Sequence, residues 1–247
     1  FPANELARVE KNHAASLRQS PLLSMIYLVF NTRRPPFDDV RVRTALASVV
    51  DQNLLTDKVL RSGASAAKTF TPEMITAYQA PPMDHSHTPS DLIERAKRLL
   101  AEAGYDAKRP LRITLRHVSG NEEKRVNLAV AGMWRQLGVQ TQLQQGTMNA
   151  HFADLRQGDF DVAWAGWIGE SNAEHYLGLL ASDVGDVNYG AYHSAEFDQL
   201  IQQARTHADV QTRNNFLRQA EAVALREAPV VPLYSLASRR LVNPRLG

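Results

Sequence analysis

Apolar positions along the chain fall into two spacings, and the switches between them divide it into alternating helices and strands. Over residues 121–137, Val126, Val130, Met133 and Leu137 recur as one helical stripe, the mark of a helix with one face against a core. Leu111 to His117 and Val139 to Leu143 alternate apolar with polar instead, the period of a strand. The same reading predicts a helix over residues 3–18 and a strand over Leu22–Thr32, ended by the turn-rich Arg33-Arg34-Pro35-Pro36. Two consecutive helices follow from Asp38, with Gly63 as their stop, and residues 64–87, interrupted by Pro72, Pro81 and Pro82, read as loop. The next helix is announced by Thr88 as N-cap, Pro89 at the first helical position, Asp91 in the first turn and Gly104 after the last. Helices are expected again at 149–157, 172–182, 195–207 and 210–227, and strands at Val230–Leu236 and Arg239–Val242. This alternation predicts an α/β fold, with a mixed sheet because the last two strands sit too close together for a crossover.

One strand is apolar on both sides. In Phe160-Asp-Val-Ala-Trp-Ala-Gly-Trp-Ile-Gly-Glu-Ser-Asn172, alternation puts Phe160, Val162 and Trp164 on one face and Ala163, Ala165 and Trp167 on the other, as in a strand covered twice. Gly166 and Gly169 then remove side chains where the backbone turns or something approaches closely. Ligands in open α/β sheets bind beyond strand ends, which makes Trp164, Trp167 and Glu170 candidates for ligand contact. Packing alone is the alternative reading of the tryptophans, and Trp134, on the apolar side of its helix, is expected in the core.

Charge and composition narrow the function classes. With 28 basic and 26 acidic side chains, a net charge of +2 and no dense Lys/Arg block, the chain gives no reason to expect nucleic acid. The absence of cysteine excludes disulfides and thiolate chemistry. The longest apolar run, Leu22 to Phe30, has strand length and not membrane-span length, and the Phe-Pro-Ala-Asn-Glu start carries no signal-peptide pattern, which a removed signal would also explain. No dinucleotide-binding glycine fingerprint, Walker-type loop or Gly-x-Ser-x-Gly elbow occurs, so neither an enzyme nor a cofactor is predicted. Asp84-His85-Ser86-His87 holds the one dense histidine pair but no third ligand, and no metal is predicted there. His117, at a strand end, is a further residue that could line a site.

Four segments then come together: Pro36-Phe37-Asp38-Asp39-Val40-Arg41-Val42-Arg43-Thr44-Ala45-Leu46, Ala96-Lys97-Arg98-Leu99-Leu100-Ala101-Glu102-Ala103-Gly104-Tyr105, Phe160-Asp161-Val162 with Gly166-Trp167, and Val231-Pro232-Leu233-Tyr234. In this order, and over nearly all the chain from Leu22 to Pro244, they resemble the oligopeptide- and dipeptide-binding (family 5) solute-binding proteins of ABC importers. The resemblance implies a periplasmic-binding-protein-like (type II) lobe, a mixed sheet flanked by helices. Family members are longer and have two lobes joined by a hinge, so the resemblance implies an excised or proteolysed domain. Residues 1–30 would be a hinge-proximal segment with part of the adjoining lobe, 31–235 the C-terminal ligand-binding lobe, and 236–247 a strand returning toward the missing N-terminal lobe. The implied function is that of a binding protein outside the cytoplasmic membrane, periplasmic or on its outer face. It would capture a peptide or other small amine-bearing solute between two lobes and deliver it to an ABC permease. A ligand-sensing module of a signalling or transcriptional regulator with the same fold is the alternative.

By the same resemblance, Glu170 stands where an aspartate of the family pairs with the ligand's α-ammonium group, and Trp167 matches the family's pocket tryptophan. The extra methylene of Glu170 moves the carboxylate outward and adds rotamers to be lost on binding. Two positions depart from the pattern: Trp164 replaces an arginine and Glu123 a histidine, both of which help hold ligand carboxylates. An unpaired buried carboxylate is costly, so the departures disfavour a short anionic peptide and favour a longer, cationic or non-peptide solute such as a murein peptide or an opine-like compound.

Overall fold

The computed structural model describes residues 1, 5–82 and 86–243. After a short helix α1 (Leu6–His13), strand β1 (Leu17–Pro21) pairs antiparallel with the last strand, β8 (Ala237–Leu241), in a ribbon of its own. The main sheet holds β2 (Ser24–Phe30), β3 (Ser65–Ala66), β4 (Arg112–Val118), β5 (Gln140–Gly146), β6 (Val162–Ile168) and β7 (Val230–Ser235), in the spatial order β3-β7-β2-β6-β4-β5. β4 is parallel to both β5 and β6, whereas β2 runs antiparallel between β6 and β7. Every residue of β2 is buried, as befits an interior strand covered on both faces.

The two faces carry separate cores. On one, α2 (Val40–Ser48), α3 (Gln52–Leu54, continued by a π turn to Leu60), α4 (Pro89–Glu102) and α5 (Asn121–Arg135) pack against Leu28, Leu115, Val162 and Leu233. On the other, α6 (Met148–Gln157), α7 (Glu174–Leu177), α8 (Ala195–Thr206) and α9 (Val210–Glu227) cover Met25, Ala163, Ala165 and Val230. Trp134 is fully buried, as expected, and its indole N–H donates to the Leu46 carbonyl at 2.9 Å, so the polar tip costs nothing.

Local chemistry explains the element ends. Thr88 accepts from the Asp91 backbone N–H while the Asp91 carboxylate accepts from that of Thr88, a capping box with Pro89 at the first position, and Gly104 closes the helix at φ +89°. The segment around Pro36–Leu46 is structural: Phe37 stacks on Phe30 at 5.3 Å, and Asp39 caps α2. Arg43, buried, donates to the carbonyls of Phe37 at 2.7 Å and Glu227 at 3.0 Å. It ties the start of α2 to the end of α9.

Several expectations change. The helix expected over residues 3–18 ends at His13, because Leu17–Pro21 finds backbone partners in residues 237–241, far off in sequence; residues 3 and 4 lie outside the described residues. β8 therefore leaves the main sheet, and the sheet is mixed because of β2 and β3, not because the last two strands neighbour each other in it. Residues 24–30, grouped on the sequence with the hinge-proximal segment, form an interior strand of the main sheet. The loop over 64–87 contains the two-residue strand β3, and the helix expected over 172–182 is one turn of α7 followed by a 3-10 turn to Leu180. Phe160 packs with Ala163 and Ala165, not with Val162 and Trp164, since β6 begins only at Val162 and alternation does not extend back to it.

Candidate functional site

Strand directions make one edge of the sheet the place to look. β7 runs antiparallel to β2, and β2 antiparallel to β6, so β7 points the same way as β6, β4 and β5. Their carboxyl ends, with the start of β2, form a single edge, and beyond such ends open α/β sheets bind ligands. β6 reaches this edge carrying Trp164 on the α5 side and Trp167 on the α7 side, as period-two alternation requires.

On the α5 side, Gly166, Ile26 and Tyr234 lie in one row across β6, β2 and β7. The Trp164 ring leans over Gly166, whose missing side chain leaves it room: a Cβ there would stand 3.6 Å from Cη2 of Trp164 and 2.8 Å from Cδ1 of Ile26. Trp164 is only 8% exposed, and its indole N–H faces the Tyr234 hydroxyl without closing a hydrogen bond to it or to any other described group. Burial pushes the Tyr234 phenol well above its ordinary value, with the nearby carboxylates of Glu123 and Glu122 adding to the rise. Glu123, in the first turn of α5, lays its carboxylate over Gly120.

Below the tryptophan sits His151, fully buried on α6, with Nε2 2.7 Å from the Trp164 carbonyl oxygen. A carbonyl can only accept, so Nε2 carries the proton. Nδ1 is buried without a hydrogen-bond partner among the described residues, and burial lowers the imidazole's pKa from its ordinary 6.5. His151 is thus a neutral prop for the strand end.

The α7 side is built differently. β6 stops at Ile168, and Gly169 leads into a turn. Trp167 and Tyr176 close over Gly169, where a Cβ would meet Tyr176 Cζ at 2.9 Å and Trp167 Nε1 at 3.2 Å. The Trp167 indole N–H and the Tyr176 hydroxyl are both buried without a hydrogen-bond partner among the described residues. Glu170 follows with a side chain 80% exposed and His175 Nε2 3.9 Å from its carboxylate. Ile168, 71% exposed, is an apolar surface on the same edge.

The structure thus gathers Trp164, Gly166, Trp167, Glu170 and Glu123 on one edge, split between two faces. His117 reaches the end of β4 but is buried, its Nδ1 2.8 Å from the Val118 oxygen, a position that serves the core and not an open wall. Sequence reasoning missed Tyr234, Tyr176 and His151. His85 lies outside the described residues, and among the described ones no group of three His, Asp or Glu could hold a metal. No described helix is long and apolar enough to cross a membrane. A cavity of about 660 Å³ lies at the opposite end of the sheet, where Arg112 and Gln140 begin β4 and β5 and Arg135 ends α5. It is lined by the first halves of β4 and β5, the second half of α5 and Asp161, so it lacks the converging carboxyl ends of strands that make a ligand edge.

Known proteins match the chain over its whole length. The family model described as "Bacterial extracellular solute-binding proteins, family 5 Middle" matches residues 1–187. The chain is similar to the periplasmic murein peptide-binding protein MppA of Escherichia coli (strain K12), with 32% identity over all of this chain and 46% of that protein. It is 34% identical, with the same coverage, to the probable deoxycholate-binding periplasmic protein YgiS of the same organism. Among solved structures, the Escherichia coli murein tripeptide-binding protein MppA superposes with a TM-score of 0.92 over 99% of this chain and 48% of that one. Haemophilus influenzae OppA in complex with the peptide RPPGFSPFR gives 0.90 at 27% identity, with the same coverage. The chain therefore spans about half the length of the relatives it matches.

Proposed function

The chain belongs to the bacterial extracellular solute-binding proteins of family 5, and on that premise we propose that it is the ligand-binding lobe of the binding component of an ABC importer. It contributes one wall of a cleft that captures a peptide or other amine-bearing solute outside the cytoplasmic membrane, in the periplasm, for delivery to a membrane permease. Residues 24–235 make up the lobe, and the β1–β8 ribbon leads toward the lobe that completes the cleft. It binds and does not catalyse.

One observation carries the amine-bearing assignment: Glu170 stands just past the carboxyl end of β6 with its side chain 80% exposed, one residue after the glycine over which Trp167 closes. An exposed carboxylate without a lysine or arginine partner among the described residues is suited to a ligand ammonium group, and the ring beside it to an apolar stem. The relatives' names include both peptides and a bile acid. The carboxylate of Glu170 favours the former, since a bile acid would bring a second negative charge to it.

Native mass spectrometry of the full-length gene product, purified without added ligand, tests this. A copurifying peptide or other amine is the expected result, and a copurifying carboxylate lacking an amine would overturn the assignment.

A further inference from the structure

The two outer strands of the main sheet are protected unequally. β3, on one side, is only two residues long. The separate β1–β8 ribbon carries Pro21, Arg18, Arg239 and Arg240, the proline and charges that keep a free edge from recruiting another strand. β5, on the other side of the sheet, has seven residues, Gln-Thr-Gln-Leu-Gln-Gln-Gly, with no charge and no proline, and its register with β4 is unbroken. The Gln140 N–H donates to the Leu111 carbonyl at 2.8 Å and the Gly146 carbonyl accepts from the Ser119 N–H at 2.8 Å, so both residues turn their backbone groups toward β4. Alternation then turns the N–H and C=O of Thr141, Leu143 and Gln145 outward, where no described strand pairs with them.

Beside this strand lies the cavity of about 660 Å³. All of residues 139–142 line it, whichever way their side chains point, so it opens on the edge of β5 and not on one face of the sheet. Its other wall is the α5 stripe of Leu128, Ala131 and Arg135 with Gly132, where a Cβ would meet nothing within 4 Å. Leu128 is 51% exposed. Lys124 and Arg125 precede it on the same stripe, and Arg112 joins Arg135 at the cavity's end. All four cations are exposed, and none has an ion pair or side-chain hydrogen bond among the described residues. Asp161, the one acid on the cavity, is already engaged: it accepts from the Thr114 N–H at 2.9 Å and stands 3.6 Å from Arg34.

We propose that β5 is a docking edge for an extended, acidic segment of another protein, which adds a strand to the sheet while its acids meet the basic α5 flank. The outward N–H and C=O groups hold an extended backbone, and alternate side chains of such a strand point toward α5. There they meet Leu128 with cations on either side, so an apolar residue flanked by acids fits. A second copy of this chain fits worse. A twofold axis along the edge would reverse α5 and bring Lys124 and Arg125 of one copy toward Arg135 of the other, like charge against like. The cavity lies at the end of the sheet opposite Glu170, so the docking edge is separate from the solute site.

Calorimetry on the full-length gene product tests this with the peptide Thr-Glu-Thr-Val-Thr-Glu-Thr, acetylated and amidated so that no terminal charge contributes, and with its lysine-for-glutamate counterpart. The acidic peptide is expected to bind about tenfold or more tighter than the lysine peptide, and added salt should narrow the gap. Thr141→Pro removes an outward N–H and no bond to β4, so the strand should stay in place while binding of the acidic peptide falls about fivefold or more. Arg135→Glu, at an exposed position, should weaken it about threefold or more and keeps the test intact where Thr141→Pro does not fold. No binding of the acidic peptide at millimolar concentration, or equal binding of the lysine peptide, would overturn the proposal. Binding that both variants leave unchanged would place the peptide elsewhere, as in the solute cleft, and overturn it too. A dimer of the full-length protein that Thr141→Pro dissociates would give the edge to a second copy, with the same consequence.

Discussion

The two faces at the end of β6 present an aromatic and an acid each, yet they are held in opposite ways. Trp164 is locked: its ring lies over Gly166 beside Ile26, and its carbonyl is propped by His151. Trp167 and Glu170 sit where the strand has given way to a turn, and Glu170 has almost no protein contact. The first face spends folding energy on position; the second leaves a charge free to meet a ligand. Substitutions on the first should therefore show in stability, and on the second in binding.

The largest effect is expected from His151→Ala. It removes a buried side chain and the donor to the Trp164 carbonyl, and together these should cost about 2–4 kcal/mol in urea unfolding. A loss under about 0.5 kcal/mol would mean that ring packing alone holds Trp164, and the contrast between the faces would blur.

Glu170→Gln is the converse. With the side chain 80% exposed, unfolding should move by less than about 0.5 kcal/mol, while calorimetry of the full-length protein with an amine-bearing peptide should lose about 1.5–3 kcal/mol. Equal affinity in the variant would remove Glu170 from the site. A large stability loss would show that the turn depends on Glu170 after all.

How much of this was legible beforehand follows the reach of each signal. The start of α4 was readable because its capping box lies within four consecutive residues, and the opposed tryptophans were readable because alternation is local. The β1–β8 ribbon was not, since its partners stand some two hundred residues apart and only tertiary pairing turns residues 17 and 18 from helix to strand. Tyr234 and Ile26 join the site through the register of β2 with β6 and β7, which no single stretch encodes. His151 looked like an ordinary residue of a short helix. Only the fold places its ring beneath the Trp164 carbonyl.

The smallest effect, a pH dependence, separates the faces without altering either acid. Burial lowers the His151 pKa from 6.5, partly opposed by the hydrogen bond to the Trp164 carbonyl and by Asp154, with Arg116 and His117 pushing the same way as burial. In the unfolded chain the imidazole protonates near its ordinary value; in the folded one it stays neutral until lower pH. Between those two values the unfolded state binds more protons, so stability falls as pH drops from 6.5 and is unaffected by this group above it. The slope from one such group cannot exceed about 1.4 kcal/mol per pH unit. His151→Gln can keep a donor for the Trp164 carbonyl but does not titrate, so the difference between its stability profile and that of the parent isolates the term. Parallel profiles from pH 7 to 5 would mean that His151 takes up its proton in the folded state as readily as in the unfolded one. The Trp164 face would then be open to water, like the Glu170 face.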